Sequence, residues 1–119
     1  MSNMSDILKI LNNKVNGLKT ASIFGKDGLP LAVENPGNLD IDAFSAKFAM
    51  VNALVSKTIK SLSDGTLSEI LIEEEKGWFI LRPLGNSGFN LFIAVSKKAK
   101  IGNLRLVAKK LATDAEKFA

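Results

Sequence analysis

Apolar residues recur at spacings of three and four at the start of the chain, where Met4, Ile7, Leu8, Leu11 and Val15 fall on one face. That period predicts an amphipathic helix over 4–15, capped by Ser5 or Ser2. Asn12, Asn13 and Asn16 weaken its helix propensity, and Gly17 is a natural stop. From Leu18 to Phe24 the period changes to partial alternation, and Leu29 to Val33 forms a second short apolar run beyond Gly25-Lys26-Asp27-Gly28. Asp-Gly between two such runs predicts a hairpin. Pro30 has no N–H for a ladder, so the second strand is expected to be short and at a sheet edge.

Residues 41–62 give the longest helical pattern, with Asp40 as the expected cap. Ile41, Phe44, Phe48, Val51, Val55, Ile59 and Leu62 make one stripe at 100° per residue. Ala43, Ala46, Met50, Ala53 and Leu54 make a second, almost opposite. A helix that is apolar on two faces needs two things to pack against, and the domain core supplies only one. Three strands are expected next, Leu67 to Glu74, Trp78 to Leu84 and Phe89 to Val95, joined by turns at Gly77 and at Gly85-Asn86-Ser87-Gly88. The last is apolar on both faces and belongs in the middle of the sheet. A terminal helix over 100–118 carries Ile101, Leu104, Ala108, Leu111, Ala115 and Phe118 in one stripe.

The expected fold is therefore an α/β (alpha+beta) domain of order α-β-β-α-β-β-β-α. Its five-stranded sheet is mainly antiparallel, because short loops join neighbouring strands. The middle helix covers one face and the terminal helices cover the other. The length of 119 residues suits a single domain over 1–119.

Composition narrows the chemistry. The chain has no cysteine, histidine or tyrosine, so thiolate nucleophiles, Ser-His-Asp sites and Cys/His zinc sites are excluded. No metal or other cofactor is expected. The formal net charge of +4 is mild and comes largely from scattered lysines, with Arg82 and Arg105 the two arginines. The opening MSNMSDILKIL lacks the marks of a secretory signal, and no apolar run reaches the roughly 20 residues of a membrane span. With no cysteine, a cytoplasmic protein without a transmembrane segment is expected.

Gly25-Lys26-Asp27-Gly28 fits neither G-x-x-x-x-G-K-[ST] nor G-x-G-x-x-G and reads as a hairpin. Glu69, Glu73, Glu74 and Glu75 lie on or beside one strand without a distant acid group to work against, as a glycosidase would require. Lys97, Lys98, Lys100, Arg105, Lys109 and Lys110 form the main basic region. It is too weakly charged, and too poor in exposed aromatics, to argue for nucleic acid. Arg82 reads as a charged strand end or as the partner of a glutamate on the next strand.

Val15-Asn16-Gly17-Leu18 leading into Ala21-Ser22-Ile23-Phe24, then Lys26-Asp27-Gly28-Leu29-Pro30-Leu31-Ala32, resembles the roadblock family of dynein light chains and their bacterial and archaeal relatives. The middle helix, the hairpins around Gly77 and Gly85-Asn86, and Ile101-Gly102-Asn103-Leu104-Arg105 extend the resemblance over essentially the whole chain. The residue pattern alone also fits a profilin-like or longin-like domain. The resemblance implies a roadblock/profilin-like fold and dimers in which edge strands join and middle helices pair. It also implies a non-enzymatic adaptor or regulator of a small Ras-like GTPase. Activating relatives reposition the GTPase's own groups instead of inserting an arginine. On this footing a homodimer is expected through Ala43, Ala46, Met50, Ala53 and Leu54 with Ile70 and Ile72. Asn52, Ser56, Lys57 and Lys60 are the expected partner contacts. The alternative is a structural adaptor or scaffold subunit with no GTPase partner.

Overall fold

A computed structural model describes residues 3–119. The elements are α1 (Met4–Lys9), α2 (Leu11–Lys14), β1 (Leu18–Phe24), β2 (Pro30–Glu34), α3 (Ile41–Ser63), β3 (Ile70–Glu74), β4 (Gly77–Pro83), β5 (Asn90–Ser96) and α4 (Ile101–Ala115), with a closing 3₁₀ turn at Glu116–Phe118. The strands form one sheet in the order β2-β1-β5-β4-β3, and every pairing is antiparallel. β5 lies at the centre and Pro30 on an edge strand, as the patterns predict.

Strand alternation divides the core into two layers. Ala21, Ile23, Ile80, Leu91, Ile93 and Val95 meet Ile7, Leu8, Leu11, Leu104, Ala108 and Leu111 from α1, α2 and α4. On the other face Phe24, Leu81, Phe92 and Ala94 meet Ala49, with Phe44, Phe48, Ile70 and Phe79 packed around them. Phe44, Phe48, Phe79 and Phe92 form an aromatic group with centroid separations of 4.6–6.2 Å, mostly in the tilted and edge-on geometries that such rings favour.

Three local expectations need correction. The first helix is two short helices that break at Ile10. Its cap is Asn3, whose Oδ1 accepts from the Asp6 N–H at 3.0 Å, and not Ser5; Ser2 lies outside the described residues. Leu8, Leu11 and Val15 are buried as the period predicts, while Ile10 at the break turns outward. Asn103 of α4 then donates to the Lys14 carbonyl at 2.9 Å, satisfying the exposed end of α2. The third strand starts at Ile70 and not at Leu67. Ile70 opposes Leu81, so continuing the register would set Ser68 against Pro83, which has no N–H to give.

The third correction concerns α3. Asp40 caps it, with Oδ1 accepting from the Ala43 N–H at 3.2 Å. Its fully buried residues are Ser45 and Ala49, neither of which belongs to the expected apolar stripe. Small side chains let the helix lie close to the sheet, and the stripe of larger residues runs along one flank, half-buried. Leu62, at the end of that stripe, is 80% exposed.

Candidate interaction surface

α3 presents a row of large apolar side chains to solvent. Met50 is 72% and Leu54 67% exposed, and Ala43, Ala46 and Ala53 lie beside them, also exposed. Phe48 stacks against Phe79 of β4 with centroids 5.9 Å apart. Ala46, on the other flank, abuts Gly28 in the β1–β2 turn. The flank with Phe44 and Phe48 therefore packs on β4 and β5. Ile70 and Ile72 of β3 alternate onto the α3 face, opposite Leu81 and Phe79, and both are half-buried.

The edge strand carries its acids in a tamed form. Glu73 accepts from Lys97 Nζ at 2.6 Å, and Glu74 Oε1 accepts from the Lys76 backbone N–H at 2.6 Å. Just before the strand, the Glu69 carboxylate binds both arginines of the chain, Arg82 Nη1 at 3.0 Å and Arg105 Nε at 2.8 Å. Arg82 is thus the partner of a glutamate, one of the two readings of the sequence. Lys97 also stands 4.0 Å from the centre of the Trp78 ring, and Lys110 reaches Asp114 at 3.7 Å. Much of the basic region is therefore balanced within the chain.

The structure divides the four expected partner contacts. Lys57 and Lys60 are exposed, whereas Asn52 and Ser56 are half-buried and line a cavity under the helix. The Gly25–Gly28 turn spends its donors internally. The Gly28 N–H reaches the Gly25 carbonyl at 3.0 Å, and Asp27 Oδ1 takes the Leu29 N–H at 2.9 Å.

One exposed group was missed in the sequence. Leu29, Leu31 and Val33 are exposed while Ala32 between them is buried. Val33 opposes Ser22, which places it on the α3 face of the sheet. The signal was present in the run Leu29-Pro30-Leu31-Ala32-Val33. The edge strand thus turns its small residue, Ala32, inward and leaves Leu31 and Val33 in solvent.

A five-stranded antiparallel sheet with one long helix on one face, its outer side apolar, and shorter helices on the other defines a domain of the roadblock/profilin-like class. The chain belongs to the Roadblock/LC7 domain family, whose sequence profile matches residues 6–96. MJ0310, an uncharacterized protein of Methanocaldococcus jannaschii, is 28% identical over 109 residues, spanning 92% of this chain and 94% of its own. The fold is shared with a Roadblock/LC7 domain from Streptomyces avermitilis (TM-score 0.86, 19% identity, 98% of each chain covered). It is shared too with the gliding protein MglB of Thermus thermophilus (TM-score 0.88, 17% identity, 98% of this chain and 87% of that one). No helix of the described residues is long and apolar enough to cross a membrane.

Proposed function

We propose that the chain is a homodimeric adaptor that binds a small Ras-like GTPase and regulates it without supplying a catalytic side chain. The observation that carries this reading is the exposure of Met50 and Leu54 on the outer side of α3, in a domain whose sheet ends in the edge strand β3. Large apolar residues in solvent next to free strand donors and acceptors are a liability for a lone domain, and pairing two copies covers both. Ala43 and Ala53 permit close helix approach, and Met50 and Leu54 supply adaptable contact. Ile70 and Ile72 would extend the joint core across the paired edges.

Pairing also doubles the α3 face into a platform broader than one copy offers. Lys57 and Lys60 at its margin suit an acidic partner surface, chiefly through encounter and orientation. Both arginines are engaged by Glu69, so acceleration of hydrolysis would come from ordering the GTPase's own groups. The test compares affinity for the GTP- and GDP-loaded partner and single-turnover hydrolysis with and without the purified protein. Tighter binding of the GTP state supports the reading. Equal affinity for both states sinks it in favour of plain scaffolding.

A further inference from the structure

A cavity of about 210 Å³ lies between the C-terminal half of α3, the segment that follows it and the β4–β5 hairpin. Asn52, Ser56 and Lys60 enter it from the helix, Thr66 from the segment beyond, Asn90 from the start of β5, and Lys26 from the β1–β2 turn. At roughly 30 Å³ per water it holds on the order of seven waters, so its occupant is a small polar molecule or the end of a larger one.

Three observations set the chemistry of that occupant. Asn52 Oδ1 is buried with no hydrogen-bond partner among the described residues, so it is free to accept from a donor that enters the cavity. Asn90, on the cavity wall, is itself buried, so polar groups reach the interior as well as the mouth. Charge is of one sign: Lys26 and Lys60 line the cavity and no carboxylate does. Among the described residues neither lysine forms an ion pair; Lys60 Nζ has only a 3.5 Å contact to the Asp64 carbonyl. An unmet acceptor inside and two unneutralised ammonium groups around it call for a ligand with a hydroxyl donor and an anionic group.

The geometry points to a binding site for a small hydroxylated anion, a phosphate or carboxylate carrying at least one hydroxyl, seated between α3 and the β4–β5 hairpin. The hydroxyl donates to Asn52 Oδ1 and the anion takes the two lysines, as charge-assisted hydrogen bonds. Because Asn52, Ser56 and Lys60 belong to α3, occupancy would brace the C-terminal half of the helix that carries Leu54 and Leu62. The site stands apart from the partner reading, since it needs neither a GTPase nor a dimer.

The test is amide and side-chain NMR titration of the purified chain at constant ionic strength with glycerol 3-phosphate, lactate, inorganic phosphate and glycerol. Glycerol 3-phosphate or lactate should shift the Asn52, Ser56, Lys60 and Asn90 signals in a saturable way, and the tighter of the two identifies the anionic group. Glycerol should have no effect, and inorganic phosphate should bind several-fold more weakly than glycerol 3-phosphate. The double variant Lys26→Gln/Lys60→Gln, altered at two exposed positions, should lose about tenfold in affinity. Asn52→Ala should erase the preference for the hydroxylated probe, and its spectrum reports directly whether it is folded. Shifts that never saturate, shifts reproduced by chloride, or unchanged affinity in the folded double variant would each overturn the proposal.

Discussion

Glu69 holds Arg82 with one carboxylate oxygen and leaves the other for Arg105, so a single 11%-exposed side chain ties the entry to β3 to both β4 and α4. Removing it strands Arg82, whose side chain is 18% exposed. Glu69→Ala should cost about 2 kcal/mol, most of it from the half-buried guanidinium left unpaired. Arg105 is 57% exposed, and Arg105→Ala should cost less than about 1 kcal/mol. Urea unfolding of both variants decides the matter, and equal midpoints would contradict the asymmetry.

The same engagement bears on any effect on a GTPase. Arg105→Ala should leave binding intact and leave acceleration of hydrolysis, where present, within about twofold of the parent, because the side chain is structural. Single-turnover measurement with the folded dimer checks this. A loss approaching the roughly thousandfold contribution of a supplied arginine would reverse the mechanism.

The unmodified chain should sediment as a dimer at tens of micromolar. Met50→Glu should shift it to monomer by placing an unpaired charge in the contact. Met50 makes little contribution within its own chain, so the monomer should keep its fold, with circular dichroism unchanged. A dimer that survives the substitution would move the contact off this face.

Gly28 has φ +81°, and a Cβ there would stand 2.6 Å from the Ala46 Cα. Gly28→Ala therefore combines backbone strain with a backbone collision that no rotamer relieves, and should cost about 2 kcal/mol. The hairpin and α3 would separate locally, visible as faster amide exchange near Ala46. An unchanged melting temperature would show that the turn can move away freely.

Phe92 touches Phe44, Phe48 and Phe79. Phe92→Ala should destabilise the chain by about 3–5 kcal/mol through lost burial and the remaining cavity. Denaturant unfolding measures this, and a cost near 1 kcal/mol would mean that the α3 layer collapses into the gap.

Much of the fold was legible because its periods were clean. Alternation in Phe89 to Val95, apolar on both sides, has few homes other than the centre of a sheet. The placement of α3 was harder to read. Hydrophobicity nominates Phe44, Phe48, Val51 and Val55 as the inward face; the two phenylalanines do stack on Phe79 and Phe92, but the buried positions of the helix are Ser45 and Ala49, since distance of approach depends on side-chain size as well as polarity. Asn52 and Ser56 looked like surface residues for the same reason. The ties of Glu69 join residues 13 and 36 positions away in the chain, and no local pattern announces them. The exposed Leu31 and Val33 of β2 were legible in principle, because the small residue, Ala32, sits on the inward phase of the alternation.

The two layers of the core are unequal. α1, α2 and α4 share an extended aliphatic cluster with the sheet, whereas α3, with 23 residues, buries only Ser45 and Ala49 completely. Sub-global opening follows such differences. In a dilute, unaccompanied chain α3 is the layer expected to open first. On the proposed pairing, association would do more than join two finished surfaces: it would lengthen the lifetime of the helix itself. The abundance of the protein would then be coupled to the order of the surface it presents, making that surface a readout of how much of the chain is present.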